Sequence, residues 1–200
     1  MMRTLVLHSG GIDSTTVAAM LVSQGDQVIL LHIDYGQVTA ATEFSAAKRT
    51  ANALSLAEPL NIRIPEIGNW GKGSLVSDIE EEEFPHRNLL LISIGAIIAI
   101  KEGLETIALG IISSATAPFS DCRYPFIDSC TQTLHNLSPT LELMTPLSHL
   151  SKQDVVATAV SLQVPLSMTF SCNRNSNRHC WSCTGCQERA SSFKALGVDL

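Results

Sequence analysis

Positive charge is in short supply in this chain: 13 lysines and arginines stand against 19 aspartates and glutamates, for a net charge of −6. Sequence-independent grip on nucleic acid needs a basic field, so this balance argues against a general nucleic-acid binder. Long apolar runs are absent as well. The longest, Leu89 to Ile100, is broken by Ser93 and Gly95, whereas a bilayer span needs about 20 predominantly apolar residues. No charged-then-apolar signal peptide opens the sequence, because Leu5 to Leu7 reads as a strand. These absences lead to the expectation of a cytoplasmic protein with no membrane contact and no direct nucleic-acid partner. Internal repeats and low-complexity tracts are missing too. What remains is 200 residues, 45% of them hydrophobic, enough for one buried core with at most a small appendage.

Short β-rich runs alternate with helical stretches through the first half, the pattern of an α/β fold around a parallel sheet. Arg3 to His8 and Gln27 to Asp34 read as strands from their Val, Leu and Ile density. Between them, Val17, Met20 and Leu21 have helical spacing within Asp13 to Gln24, a helix that ends near Gly25. A second helix is expected over Thr42 to Leu56, a third strand over Leu60 to Ile64 and a buried helix over Asn88 to Lys101. Glu105 to Ile112 and Leu141 to Met144 read as strands, Arg123 to His135 and Ser151 to Leu162 as helices. Asp154 stands three residues after Ser151, as in a capping box. Gly68 to Pro85 is the least regular stretch. Its Glu80 to Glu83 run reads either as a solvated loop or as part of a mobile lid.

Chemistry begins where the first strand ends. Leu5-Val6-Leu7 runs into His8-Ser9-Gly10-Gly11, and a helix starts at once with Ile12-Asp13-Ser14-Thr15. Paired glycines allow a tight turn that leaves N–H groups open. The helix N-terminus adds unpaired donors and the positive end of its dipole. The hydroxyls of Ser9, Ser14 and Thr15 are suited to donate to phosphate oxygens. The Gly-Lys-Ser/Thr ending of a Walker A loop is missing, as is the third glycine of a dinucleotide fingerprint. The second strand ends at Asp34-Tyr35-Gly36-Gln37, where an α/β sheet presents its ligand crevice. A plain Tyr-Gly turn is the alternative there.

Six cysteines in a cytosolic chain point to metal ligands or buried thiols rather than disulfides. Four crowd the C-terminal part: Cys172, Cys180, Cys183 and Cys186 have seven, two and two residues between them. Thiolates two residues apart can face one metal ion, and four close a tetrahedral zinc site with no open position. Such a zinc is expected to be structural, pinning a loop-rich segment without a core of its own. Unligated thiols and an iron–sulfur cluster are the alternatives. Cys122 and Cys130 lie upstream and are not counted as ligands.

Ser-Gly-Gly-Ile-Asp-Ser over residues 9–14 resembles the pyrophosphate loop (PP-loop) of the ATP pyrophosphatases, which release pyrophosphate and transfer AMP. With the cysteine cluster added, the chain resembles one family within them, the 7-cyano-7-deazaguanine synthases (QueC). The resemblance continues through Asp34-Tyr35-Gly36-Gln37, Pro85-His86-Arg87-Asn88, Asp121-Cys122-Arg123 with Phe126, and Leu150-Ser151-Lys152. It closes with Thr169-Phe170-Ser171-Cys172 and the cysteine spacing as far as Arg189. It implies a Rossmann-like parallel sheet of the adenine-nucleotide-hydrolase type with helices on both faces. Residues 1–168 would be the ATP-binding domain, and 169–200 a zinc-binding segment packed on it. It further implies ATP, Mg2+ and a 7-deazaguanine carboxylate as the bound species, and a homodimer.

By the same resemblance, Ser9, Gly10, Gly11, Asp13, Ser14 and Thr15 cradle pyrophosphate and help to place magnesium, while Asp34 and Tyr35 lie at the adenosine. Asp13, Lys152 and Arg87 are the catalytic candidates, the two cations serving the triphosphate or the substrate carboxylate. Arg87, Asn88, Asp121 and Arg123 fall to the deazaguanine end. Blander alternatives are a solvated helix-start lysine at Lys152, a surface pair of Arg87 with Glu80 to Glu83, and a helix N-cap at Asp121. Two stretches depart from the family pattern. Val38 and Thr39 stand where Arg-His is typical, and Ala115-Thr116-Ala117-Pro118-Phe119-Ser120 replaces Asp-Tyr-Ser-Gly-Tyr-Pro. The change at Ala115 removes a candidate for binding ammonium or moving its protons. Three outcomes therefore stay open. The activated acyl group passes to ammonia and on to a nitrile, or to an amine of a protein acceptor as in antiphage defence, or the chain is a non-catalytic nucleotide-binding module.

Overall fold

A computed structural model describes residues 1–71, 75–76, 84–115, 117–174 and 177–199. Five strands, β1 (Arg3–Leu7), β2 (Gln27–Asp34), β3 (Leu60–Arg63), β4 (Thr106–Leu109) and β5 (Glu142–Met144), form one sheet in the order β3-β2-β1-β4-β5. Every neighbouring pair is parallel, and Thr4 of β1 sits opposite both Val28 and Thr106. Parallel strands need long crossovers. Helices α1 (Ile12–Ser23), α2 (Ala40–Ala53), α3 (Arg87–Lys101) and α4 (Tyr124–Leu137) provide them, followed by α5 (Lys152–Ser161) and α6 (Thr184–Leu196).

The pleat of β1 sorts the core into two layers, because successive side chains point to opposite faces. Val6 packs with Val17 of α1, Ala51 of α2, Val155 of α5 and Phe193 of α6. Leu5 and Leu7 pack on the other side with Ile92 and Ala96 of α3 and Ile127 and Leu134 of α4. With both faces covered, β1 and β4 are apolar or buried along nearly their whole length, as fully covered parallel strands should be. Removing each such aliphatic side chain from water contributes roughly 1.5–3 kcal/mol. Chain order reverses about β1, with β2 on one side and β4 on the other. Such a switch point opens a crevice beyond the carboxyl ends of the strands.

Three elements differ from the sequence expectation, the first being α2, which runs Ala40–Ala53 rather than Thr42 to Leu56. β4 stops at Leu109 rather than running on to Ile112, because Gly110 backs directly onto α1. A Cβ at Gly110 would lie 2.8 Å from the Asp13 carbonyl carbon and the Ser14 nitrogen, so the chain leaves the sheet beside the first strand–helix junction. α6 has no counterpart in the sequence reading. It begins straight after Cys183 and is stopped by Gly197 in a left-handed conformation. α5 opens on the expected capping box, with Asp154 N–H donating to Ser151 Oγ at 3.2 Å and Ser151 N–H to Asp154 Oδ2 at 3.0 Å. The stretch Gly68 to Pro85, read as a solvated loop or part of a lid, falls largely on residues 72–74 and 77–83, which lie outside the described residues, as does Thr116. Among the described residues no helix is long and apolar enough to cross a membrane.

Candidate active site

At the switch point lies a cavity of about 580 Å³, within the size range of small-ligand sites. Its first wall is the loop after β1. Gly10 has φ +76°, and a Cβ there would meet the Ala47 nitrogen at 2.5 Å and the Glu43 carbonyl oxygen at 2.8 Å. Only glycine lets this loop pass beneath α2. Ser9 Oγ and Ser14 Oγ stand 3.3 Å apart, and the Gly11 N–H donates to Ser9 Oγ at 3.3 Å. Both serines line the cavity, as do Gly11 and Asp13. Thr15 and Gly10 do not. The Thr15 hydroxyl donates to the Gly11 carbonyl at 2.7 Å and is fully buried, so it stiffens the loop from behind.

Asp13 meets a cation from the far end of the chain. Lys152 Nζ donates to Asp13 Oδ1 at 2.6 Å and Oδ2 at 2.8 Å, and both residues line the cavity. The capping box fixes where α5 begins, and Lys152 is its first residue. The pair is about a quarter exposed. An anion entering the cavity can therefore reach the ammonium group close to the N-terminus of α1, where unpaired N–H groups favour negative charge.

Arg87, Asn88 and Asp121 form a second group on the wall. The Asn88 N–H donates to Asp121 Oδ2 and Asn88 Nδ2 to the Asp121 carbonyl, each at 3.0 Å. Asp121 thus caps the N-terminus of α3, a helix from a distant part of the sequence. Arg87 reaches the Tyr35 hydroxyl. Burial works against the guanidinium charge, but Tyr35, Asp121 and Glu43 outweigh it and move its pKa up. Burial pushes the Tyr35 phenol to about 12 against the opposing pull of Arg87, and the Cys122 thiol to about 11 with help from Asp121. Neither is a ready anion at neutral pH. Arg123 and Asp34 lie off the cavity wall. Arg123 Nε donates to the Ala117 carbonyl at 2.9 Å. Asp34 accepts from the Gly36 N–H at 3.1 Å and pairs with Arg63 at 3.2 Å.

His32, Glu43, Asn173 and Glu188 reach the wall only through folding and carry no local signal, while His8, Gln37 and Ser171 stand within the motifs above without an assigned role. The Thr50 hydroxyl is committed to the Ala46 or Ala47 carbonyl. His8 Nε2 must therefore donate to Thr50 Oγ1, at 3.0 Å. Burial, then the neighbouring His32, lowers the His8 pKa from 6.5 to about 4. His8 is a neutral imidazole at physiological pH.

The four C-terminal cysteines converge. Their sulfurs all lie within 4.8 Å of one another, with Cys172 to Cys183 at 4.0 Å and Cys180 to Cys186 at 3.9 Å. A tetrahedral ion with bonds of about 2.3 Å needs sulfurs about 3.8 Å apart, so the set fits a four-coordinate metal. Backbone N–H groups of Cys183 and Asn173 donate to Cys180 Sγ and Cys183 Sγ at 3.3 and 3.4 Å. Cys122 and Cys130 stand apart from this cluster.

The profile of the family described as Queuosine biosynthesis protein QueC matches residues 3–197. The chain is 33% identical to the 7-cyano-7-deazaguanine synthase of Nautilia profundicola, over 100% of this chain and 96% of that protein. It is also 33% identical to 7-cyano-7-deazaguanine synthase 1 of Desulfitobacterium hafniense, over 96% of this chain and 91% of that one. Among solved structures it is similar to a 4-thiouridine synthetase in complex with RNA and bound ATP. The TM-score is 0.58 at 14% identity, covering 98% of this chain and 50% of the other. The U34-tRNA thiolase NcsA of Methanococcus maripaludis, solved with its 4Fe-4S cluster, gives a TM-score of 0.54 at 12% identity, covering 98% and 65%. At these identities the structural likeness speaks for the fold alone.

Proposed function

Because the chain belongs to the family of queuosine biosynthesis protein QueC, we propose that it activates 7-carboxy-7-deazaguanine with ATP and converts the carboxylate to a nitrile with ammonia. The observation that carries this reading is one cavity lined by two unlike groups of residues. One is the Ser9–Ser14 loop with the Asp13–Lys152 pair, and the other is Arg87 with Asn88 and Asp121. The first suits a polyphosphate and the second a planar polar base. A carboxylate is a poor electrophile at neutral pH, since its charge repels nucleophiles and oxide is a very poor leaving group. Adenylation removes both obstacles.

A carboxylate oxygen attacks the α-phosphorus of ATP, and the bond to pyrophosphate breaks. Ser9, Gly11, Ser14 and Lys152 hold the charge that gathers on the departing pyrophosphate. Lys152 then exchanges its Asp13 contact for phosphate oxygens. Magnesium, which Asp13 would help to hold, supplies further neutralisation of phosphate charge when bound. Ammonia next attacks the acyl carbon and AMP leaves, giving the amide. A second ATP adenylates the amide oxygen with release of pyrophosphate, and loss of AMP and of both protons on the nitrogen leaves the nitrile. Ammonia rather than a protein amine is the acceptor favoured by the full-length likeness to relatives named synthases. The Asp13–Lys152 pair on the cavity wall speaks against a module without catalysis.

Zinc is the ion we assign to the four cysteines, because all four donors are sulfur and lie within 4.8 Å of one another, enough to complete a tetrahedral shell. Residues 169–200 form a metal-held extension of the ATP-binding unit 1–168, in keeping with the packing of α6 on the α5 side of the sheet. A reducing compartment, the cytoplasm, would keep all six cysteines as thiols. The outer face of α3 leaves Leu89, Ile97 and Ile100 exposed, by 47%, 66% and 57%. It is the surface we assign to a homodimer. A monomer mass by light scattering would remove that assignment.

The test of the reaction is direct. The protein is incubated with ATP, magnesium, 7-carboxy-7-deazaguanine and ammonium, and the products are read by mass spectrometry. The nitrile, AMP and pyrophosphate are expected. Absence of AMP and pyrophosphate with any deazaguanine acid would sink the reading.

A further inference from the structure

Among the described residues, four carboxylates line the cavity, and three of them are engaged. Asp13 accepts from Lys152 at 2.6 and 2.8 Å. Glu43 accepts from the Thr39 hydroxyl at 2.5 Å and from Gln37 Nε2 at 3.0 Å. Asp121 accepts from the Asn88 N–H at 3.0 Å. The fourth is Glu188, whose carboxylate has no hydrogen bond or ion pair among the described residues.

Its place in the fold puts it at the phosphate end. Thr184, Gly185 and Glu188 fall on one face of α6, and all three line the cavity. Gly185 lies flat against Ser171, where a Cβ would come within 2.2 Å of the Ser171 carbonyl oxygen. The preceding residue, Phe170, donates its N–H to the Gly10 carbonyl at 2.9 Å. Its own carbonyl oxygen would stand 3.4 Å from a Cβ on Gly11. The face of α6 therefore adjoins the phosphate loop through Phe170 and Ser171. Glu188 stands about one turn, or ~5 Å of rise, beyond Gly185.

We propose that Glu188 receives the nitrogen nucleophile, holding it as an ammonium ion beside the phosphate loop. The proposal rests on the adenylation reading above. Ammonium carries one positive charge and only N–H donors. Of the other polar groups here, Lys152 and the loop N–H groups are donors that complement phosphate rather than ammonium, and the Asp13 carboxylate is already paired with Lys152. A carboxylate with free lone pairs supplies what they lack. The ion loses one proton to water, and the freed lone pair attacks the acyl carbon. The carbon–oxygen bond to AMP then breaks, with the electron pair leaving on AMP. The extra proton on nitrogen goes to solvent.

The same carboxylate would also attract a divalent cation, and the test separates the two. Glu188→Gln is compared with wild type in ammonium saturation, in pyrophosphate exchange without ammonium, and with hydroxylamine, a nucleophile that is uncharged at neutral pH. Loss of one charge-assisted contact should raise the KM for ammonium roughly 10- to 100-fold. Pyrophosphate exchange and hydroxylamine turnover should stay within about twofold of wild type, and Glu188→Asp should recover part of the ammonium KM. An unchanged ammonium KM overturns the proposal. So does loss of pyrophosphate exchange, which would assign Glu188 to a metal–ATP complex. No exchange in the wild-type protein would mean that the adenylation reading itself has failed.

Discussion

Lys152 and Asp13 are separated by 139 residues in the chain and by 2.6 Å in space. With phosphate absent, each holds the other's charge in a site only about a quarter exposed. Replacing Lys152 with Met keeps most of the side chain's length and removes only the ammonium group. Pyrophosphate exchange should then fall by roughly 10²–10³-fold, with far-ultraviolet circular dichroism unchanged. Activity close to wild type would make Lys152 a solvated helix-start lysine. His8 gives a second test, on stability. Its folded pKa of about 4 lies below the ordinary 6.5, so between those values the unfolded chain binds more protons than the fold. Stability is therefore fully present above pH 6.5 and declines as pH falls toward 4, by about 2 kcal/mol at pH 5. His8→Leu should remove that share of the acid loss in urea unfolding at pH 7.5 and 5. His32, also lowered by burial, keeps the residual slope above zero. An acid loss identical to wild type would show that His8 does not carry it.

Elements were legible where local pattern and tertiary role agree. β2 reads off the sequence to the residue because its Val, Ile and Leu density is that of a strand covered on both faces. α5 was marked by its capping box, which is a local device. α6 was missed. Its burial is directed by Cys186, Arg189 and Phe193, in a stretch whose composition is polar and cysteine-rich. The end of β4 was missed because the contact that stops it, Gly110 against Asp13, spans nearly 100 residues. The same division runs through the site. The loop over residues 9–14 is contiguous, and its place at the cavity could be read, whereas Asp121 capping α3 and Glu188 on α6 depend on crossovers. Within the loop, its two glycines differ in kind. Gly10 combines φ +76° with backbone atoms at 2.5 Å, while Gly11 would place a Cβ 3.2 Å from the movable Ser9 hydroxyl. Gly10→Ala should weaken ATP binding at least about 10-fold and lower Tm by several degrees, while Gly11→Ala should do markedly less. Calorimetric titration of both variants checks the contrast, and equal affinities would refute it.

At the scale of the whole molecule, the cysteine segment and the phosphate loop behave as one construction. Phe170, Cys172, Cys183 and Cys186 share a small apolar cluster with Ala46 of α2. Arg189, almost fully buried, donates to Thr169 Oγ1 and the Leu166 carbonyl at 2.7 Å each, and to Ser171 Oγ at 3.4 Å. Phe170 then donates to Gly10 of the loop itself. Apart from this cluster, the described residues from Thr169 to Cys183 contribute few apolar side chains to the core, so a metal held by the four cysteines would supply much of the segment's folding energy. Without the ion, four thiolates in close contact would repel or take up protons, and the strap against Gly10 would loosen with them. Elemental analysis should therefore find one metal ion per chain. Stripping it with a chelator, or replacing Cys186 with Ser, should lower Tm by roughly 10 °C and weaken ATP binding in the same samples. The two losses should return together when zinc is restored to the chelated protein. A chelated chain that melts and binds ATP like the untreated one would leave the sulfurs as plain thiols and the strap as independent of them.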